Sequence, residues 1–197
     1  TNKNMVSLYK PNSKVSGFAA SFRFSPEKDC VFAQLIKQSS WDASNHIGGF
    51  KESMNDPKKK VTVALNFVEL GAIVDCIERN RPFKTFHDDG KNTGGKSVNF
   101  EPWMSKDEKP VVKGYSFSIT VNDKEDVNNK NAFYIGLTFA EARYLKEFLL
   151  YAMYQHFKND AARQLQAKNI EPKRVTIEKA TKLAESPTVE VESLVDL

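Results

Sequence analysis

The alternation of apolar and polar residues changes character at two points of the chain, and the two points are alike. Before each point, apolar residues fall at every second position, which is the period of a β-strand with one buried face. They are Val61, Val63 and Leu65 before the first point, and Phe133, Ile135 and Leu137 before the second. After each point, apolar residues recur every three or four positions, as on one face of a helix. The chain therefore predicts two places where a strand runs into a helix.

Both predicted helices begin with the same capping chemistry. Asn66 is followed three positions later by Glu69, and Thr138 is followed three positions later by Glu141. In such a pair the first side chain accepts a bond from the third helical amide and the Glu bonds back to the cap, so each pair predicts a capping box. Leu, Phe and Glu recur around both caps at one offset, from 66 to 138. This recurrence indicates a duplicated unit.

Eight strand-like segments divide evenly between the two halves. Four precede the first helix, at 6–10, 17–25, 30–38 and 60–65, and four precede the second, at 82–87, 96–101, 114–122 and 132–137. The long polar segment 39–59 predicts a mobile loop. Because a sheet with one apolar face needs a cover, we predict an α+β fold of two ββββα repeats, with two antiparallel four-stranded sheets each carrying a packed helix.

The predicted domain organisation follows from these elements. One domain, 1–168, contains two pseudo-repeats at about 6–80 and 82–168. The second helix is expected to end near residue 168, because Pro172 interrupts helical hydrogen bonding. The remainder, 169–197, is rich in Lys and Glu and then acidic, which predicts a flexible C-terminal tail.

Composition limits the class of protein. Forty per cent of the residues are apolar and 14 are Phe, enough for a packed core, but no apolar run approaches a membrane span. The first residues carry no signal-peptide or transit pattern, so we expect a cytoplasmic protein, in the host cytoplasm if a phage encodes it. Cys30 and Cys76 lie in apolar patterns, which predicts reduced core residues. We expect no cofactor and no bound metal.

Charge is distributed unevenly along the chain. The overall net charge is +4, but residues 185–197 carry four carboxylates and neither Lys nor Arg, which leaves +8 on residues 1–184. The net charge alone says little, but a basic body with an acidic end is a polarity that a function has to explain. An acidic tail tethered to such a body is also expected to compete with nucleic acid for the same lysines. When released, it would be available to a replication or recombination protein.

Residues 90–97, GKNTGGKS, match the phosphate-loop pattern completely. That pattern requires a helix directly after the Lys-Ser pair, with its N-terminus facing the phosphates. Here VNFEPW follows, which alternates as a strand and contains Pro102. A hairpin turn is therefore favoured, and a nucleotide hydrolase is kept as a disfavoured alternative. The three histidines are not spaced as ligands, no Ser or Cys has an evident catalytic partner, and we predict no enzymatic activity.

Aromatic residues interleaved with cations predict a binding surface for single-stranded nucleic acid. Cations follow the phosphates of such a strand, and rings stack on its exposed bases. The candidate side chains lie in the segments FRF, IKQSSW, NDPKKK, RPFKTFH and GKNTGGKSVNFEPW, and they are Arg23, Lys37, Trp41, Lys58, Lys59, Lys60, Lys84, Lys91, Lys96 and Trp103. For Trp41 and Trp103, packing into the core is the alternative that this pattern leaves open.

Three segments of the second half form a recognisable series: TFHDDGKNTGGKSVNFEPW, GYSFSITVND and NAFYIGLTFAEARYLKEFLLYAM. Together they resemble the second half of the plant Whirly proteins, and residues 6–80 match more loosely. The Lys-Gly-Lys-Ala-Ala-Leu stretch of Whirly proteins has no clean counterpart near 17–35, where GFAASFRF stands. The same fold family includes positive cofactor four, phage single-stranded-DNA-binding proteins and trypanosome mitochondrial RNA-binding proteins. The resemblance implies single-stranded nucleic-acid binding along sheet edges, usually by a homo-oligomer.

The function expected from these features is sequence-independent binding of single-stranded DNA in replication, recombination or repair, for example in a phage. An RNA-binding or annealing protein, or a transcription regulator of the same fold, is the alternative within binding proteins. No membrane partner is expected.

Overall fold

The computed structural model describes the backbone of residues 4–88, 94–123 and 130–184, and side chains up to residue 165. Its elements follow in chain order. The first half contains β1 (Met5–Lys10), β2 (Phe18–Ser25), β3 (Cys30–Lys37), β4 (Ser40–Asp42), β5 (Ile47–Gly49), a 3₁₀ turn (Glu52–Asn55), β6 (Lys60–Leu65) and α1 (Phe67–Arg79). The second half contains β7 (Phe83–His87), β8 (Lys96–Met104), β9 (Val112–Asn122), β10 (Lys130–Leu137) and α2 (Phe139–Ala184).

The strands form two antiparallel four-stranded sheets, as predicted. The first sheet has the order β1-β2-β3-β6, and the second has the order β10-β9-β8-β7. In both halves the fourth strand pairs with the third and leads directly into the helix. The α+β fold class with two ββββα units is therefore confirmed.

The inner faces of the two sheets pack against each other. Phe22 of the first sheet and Phe117 of the second are fully buried, with ring centroids 5.2 Å apart. Phe18 and Phe133 meet at 6.5 Å nearer the sheet ends. Each buried Phe or Leu contributes about 1.5–3 kcal/mol relative to exposure. The strand alternation in the sequence thus places its apolar set in one shared core.

Both capping boxes form as predicted. The Asn66 side chain accepts from the Glu69 amide at 3.0 Å, and Glu69 Oε2 accepts from the Asn66 amide at 2.9 Å. Glu141 Oε2 accepts from the Thr138 backbone amide at 2.8 Å. The Glu141 backbone amide donates to Thr138 Oγ1 at 3.3 Å. Each box fixes the point where a strand ends and a helix begins.

Helix α1 also contacts the sheet of the other half. The Cys76 thiol donates to the Phe100 carbonyl at 3.5 Å, and the Tyr115 hydroxyl donates to the Ile77 carbonyl at 2.7 Å. Burial raises the pKa of the Cys76 thiol to about 11, which keeps it protonated. Cys30 is buried as well, and both cysteines are free, as expected. Helix α1 therefore joins the two halves.

Helix α2 divides between two compact units of the chain, residues 1–156 and residues 157–197. In the first unit it contacts α1, because Lys146 pairs with Glu78 at 2.8 Å and the His156 ring stacks on Phe67 at 4.0 Å. In the second unit the helical backbone continues to Ala184, beyond the predicted end near 168. Helix formers such as Lys, Glu, Ala and Leu dominate the residues after Pro172 and favour this continuation. The predicted domain boundary stays a prediction.

The segment between β3 and β6 is ordered by contacts, where a mobile loop was predicted. It contains the β4–β5 hairpin and the 3₁₀ turn. The buried Gln38 side chain accepts from the Asn12 amide at 2.9 Å and donates to the Ser40 carbonyl at 2.8 Å. A Cβ on Gly48 would lie 2.2 Å from the Pro11 side chain, so glycine allows the hairpin to approach the β1–β2 loop.

No helix within the described residues is long and apolar enough to cross a membrane.

Candidate nucleic-acid interface

A groove runs along β10, the edge strand of the second sheet, where it meets the first sheet. Its larger part is a cavity of about 450 Å³, lined by Val15, Ser16, Gly17, Phe18, Lys37, Gln38, Ser39, Lys59, Ala132 and Tyr134. An adjoining hollow of about 180 Å³ shares four of these residues and adds Lys10, Asn12, Ile135 and Gly136. The groove therefore combines three lysines, Lys10, Lys37 and Lys59, with one exposed ring and backbone of the β1–β2 loop.

The aromatic wall of the groove is Tyr134. Its side chain is 57% exposed, and its ring centroid lies 4.6 Å from that of the buried Phe18. Strand period explains this placement, because Phe133 and Ile135 on either side point into the core. Phe18 therefore backs one side of an exposed ring, and the other side can stack on a planar ligand.

Lys37 is one of the lysines that line the groove. Its ammonium donates to Asn131 Oδ1 at 2.6 Å and lies 4.8 Å from the centre of the Phe133 ring. The Asn131 amide in turn donates to the Lys58 carbonyl at 2.8 Å. These contacts hold β3, β10 and the start of β6 together, so Lys37 positions the groove as well as charging it.

Glycine and glutamine shape the opposite wall. A Cβ on Gly17 would lie 2.2 Å from the Lys10 carbonyl oxygen, so only glycine permits this close return of the β1–β2 loop. The Gly17 amide donates to Gln38 Oε1 at 3.2 Å. The loop backbone is thereby fixed against the end of β3.

The third lysine of the groove is already paired with a carboxylate. Lys10 donates to Glu141 of the α2 capping box. Although partial burial acts to raise the pKa of Glu141, hydrogen bonds from Lys10 and Thr138 outweigh it and hold the pKa below its usual value. The positive field of the groove therefore comes mainly from Lys37 and Lys59.

The predicted lysines of the NDPKKK segment lie together beside this groove. Lys59 is exposed and lines it. Lys58 is exposed next to it, with its amide bonded to Asp56 Oδ1 at 2.8 Å. Lys60 begins β6, and its ammonium donates to the Met54 carbonyl. With Lys37, these are the predicted site residues that the fold brings into one region.

Other predicted residues lie on the outer faces of the sheets. Arg23 is exposed on the first sheet, with its guanidinium 5.3 Å from the centre of the Phe32 ring. Lys84 is exposed on β7 of the second sheet. Trp103 is 57% exposed near the end of β8, which fits the stacking hypothesis better than the core alternative. None of these three side chains lines the groove.

Two of the remaining candidates, Trp41 and Lys96, also lie outside the groove. Trp41 is half-buried in the β4–β5 hairpin, with its ring 6.1 Å from the His46 ring. Lys96 begins β8 and stands opposite His87 in the sheet. Lys91 lies outside the described residues. Sequence reasoning missed Tyr134, although its polar-phase position in an otherwise apolar strand was a usable signal.

The structure disagrees with the phosphate-loop pattern of residues 90–97. The pattern requires a helix after its Lys-Ser pair, but Lys96 begins strand β8. His87, at the end of β7, contacts Glu69 Oε1 through Nε2 at 2.8 Å. Within the described residues, no group of three or more His, Cys, Asp or Glu side chains could hold a metal ion.

The fold and the edge groove define a two-sheet α+β protein of a known family. A family model described as Whirly transcription factor matches residues 45–148, and the chain belongs to the Whirly family. The match begins in the β4–β5 hairpin and ends within α2, so it covers the half for which the sequence resemblance is clearest.

Solved structures share the fold at low identity. The plant transcriptional regulator PBF-2 is 20% identical, with a TM-score of 0.56, over 80% of this chain and 92% of that chain. WHY3 from Arabidopsis thaliana is 18% identical, with a TM-score of 0.55, over 84% and 96%. MRP1/MRP2 from Trypanosoma bruciei is 13% identical, with a TM-score of 0.53, over 78% and 85%. No curated protein sequence matches the chain.

Proposed function

We propose that this protein binds single-stranded DNA with little preference for sequence and acts in replication, recombination or repair. The observation that carries the proposal is the groove along β10. There the exposed Tyr134 ring lies in the same cavity as Lys37 and Lys59. Stacking platforms beside cations that follow phosphates are the physical basis of single-strand binding.

The chemistry of the groove favours an unpaired strand. A base reaches the face of Tyr134 only when it is not stacked and paired within a duplex. Stacking and phosphate contacts are available to every base, so they add affinity without reading sequence. Ribose differs from deoxyribose only by its 2′-hydroxyl, and RNA is therefore the first alternative ligand.

Transcription regulation is the second candidate function. It is favoured by the description of the matching family as a transcription factor and by the similarity to the regulator PBF-2. A regulator requires stronger preference for particular sequences than a strand-coating protein. Affinity for several unrelated oligonucleotides therefore separates the two.

Further proposals concern assembly, partners and location. We propose a homo-oligomer in the cytoplasm that meets a replication or recombination protein through the acidic segment 185–197. That segment lies outside the described residues. The three solved structures compared above are from plants and a trypanosome, and they lend no support to a phage source.

Variants of the groove test the proposal. Lys59→Ala and Tyr134→Ala remove an exposed cation and an exposed ring, and each is expected to weaken single-strand binding, the latter by about 1–3 kcal/mol. Lys28→Ala is the matched control. Lys28 is exposed in the β2–β3 turn, at the end of β2 away from the groove and about 25 Å from it along the strand. Equal affinities of all three variants, measured by fluorescence anisotropy, would refute the groove as the site.

A further inference from the structure

We infer that the bound strand leaves the groove across the outer face of the second sheet and ends at Phe86 and Lys84 on β7. This inference rests on the proposed function and extends its site. Its starting observation is Tyr134, which lines the groove and at the same time belongs to the outer face of β10.

Strand register places the side chains of this face in rows that cross the sheet. One row contains Tyr134, Ser118, Asn99 and Lys84, each directly opposite the next. The neighbouring row contains Ala132, Thr120, Ser97 and Phe86. Three strand spacings of ~4.8 Å separate the ends of a row, so the track from Tyr134 to Lys84 is about 14 Å long.

The chemistry of the two rows suits a single nucleic-acid strand. Tyr134 and Phe86, each 57% exposed, provide rings at opposite edges of the sheet. Small polar groups lie between them, including Asn99, whose amide is 3.4 Å from Ser118 Oγ. The two rows contain no carboxylate, and Glu101 lies in the next row along β8. A phosphate backbone therefore meets hydrogen-bond donors and a lysine along this path.

The position of the Phe86 ring is fixed by a glycine. Gly95 has a φ of 82°, in the left-handed region, and a Cβ there would lie 2.2 Å from Phe86 Cζ. Only glycine satisfies both conditions without strain. The ring accordingly lies against the turn backbone and keeps one side open.

The matching rows of the first sheet differ from these in one case. The counterpart of the Tyr134 row is Thr62, Gln34, Ser21 and Ser7, which is also polar and half-buried, whereas the counterpart of the Phe86 row is buried at its two middle positions. By register, Tyr9 takes the place of Phe86, Ala19 that of Ser97 and Ile36 that of Thr120. Ala19 and Ile36 are only 5% and 8% exposed. The polar residues of the Phe86 row thus match a row that stays in contact with solvent.

Two pairs of variants test the track. Phe86→Ala and Asn99→Asp alter it, while Tyr9→Ala and Ser21→Asp make the same changes at the corresponding positions of the first sheet. Affinity for an oligothymidylate of ~16 nucleotides, the upper range of such sites, is measured by anisotropy, with thermal melts as the folding check. Phe86→Ala and Asn99→Asp are expected to weaken binding about tenfold, and their counterparts to leave it unchanged.

The outcomes separate this inference from the proposed function. If Lys59→Ala weakens binding but neither track variant does, the strand does not cross the second sheet, although the groove still binds it. If Asn99→Asp and Ser21→Asp cause equal losses, the effect is one of overall charge, and the track is again refuted. If the unaltered protein does not bind the oligothymidylate at all, the proposed function itself fails.

Discussion

In the first half of the chain, residues 38–59 connect the third and fourth strands of the sheet, whereas residues 123–129 suffice in the second half. The longer connection folds over the outer face of its own sheet. The 3₁₀ turn contacts β3 and β6, and the Phe50 ring lies 6.0 Å from that of Tyr9. The outer face of the second sheet has no such cover among the described residues.

Side chains at matching register positions have diverged accordingly. Where the first sheet is covered, it carries Ala19 and Ile36, and where the second is open, it carries Ser97 and Thr120. Burial favours apolar groups, while a hydroxyl in water costs nothing. A duplicated fold can thus bury part of one outer face and leave the matching part of the other in contact with solvent.

The largest expected difference between the two faces is in stability. Ile36→Ala removes methyl groups beneath the long connection and is expected to lower the free energy of unfolding by about 2–4 kcal/mol. Thr120→Ala at the matching open position is expected to change it by about 0.5 kcal/mol or less. Urea denaturation of both variants measures this, and similar losses would show that the two faces are equally buried.

The two tryptophans sharpen the comparison on the binding side. Trp103→Ala is expected to weaken single-strand binding by about 1–3 kcal/mol, because an exposed ring can stack on a base. Trp41→Ala, in the hairpin of the first half, is expected to have the smaller effect. Anisotropy and quenching of intrinsic fluorescence measure both. Unchanged affinity for both variants would show that neither ring stacks on a base.

The smallest expected effect concerns the capping carboxylate of the second half. Because the folded pKa of Glu141 is lowered, its contribution to stability is full above the unfolded value of about 4.3 and is lost as pH falls through the folded value. Lys10 is 38% exposed, so solvent screening limits the contribution to about 1 kcal/mol. Glu141→Gln is expected to be less stable than wild type at pH 7.

Chemical denaturation at several pH values checks this prediction. The difference between Glu141→Gln and wild type is expected to disappear in acid. Glu147→Gln, which removes an exposed carboxylate nearly two turns further along α2, is the control and is expected to change little. A pH-independent loss for Glu141→Gln would assign the effect to packing.

Local patterns were sufficient to predict the two sheets and both capping boxes. Strand alternation fixes which residues face the core, and a cap with Glu three positions later fixes where a helix starts. The hairpin in 39–59 was missed, because Gln38 and Gly48 act through contacts with Asn12 and Pro11, which are distant in sequence. The continuation of α2 past Pro172 was missed because proline normally ends a helix. The Lys, Glu, Ala and Leu residues that follow it favour a helix and allow α2 to continue.

The candidate binding residues were harder to predict than the fold. Charge and aromatic content nominated ten side chains as nucleic-acid contacts. Of these, Lys37 and Lys59 line one cavity and Arg23 and Trp41 lie elsewhere, and the role of each in binding stays a prediction. Which cations converge depends on how two sheets pack, and no local pattern encodes that packing. Tyr134 gains its role only because β10 is an edge strand beside Phe18.

The most direct test of the central claim is fluorescence anisotropy with single-stranded DNA, single-stranded RNA and duplex DNA of equal length, at two salt concentrations. Single strands are expected to bind more tightly than duplex. The logarithm of their affinity is expected to fall with the logarithm of salt concentration, with a slope of about −0.7 per phosphate neutralised. Equal affinity for duplex and single strand would contradict the account.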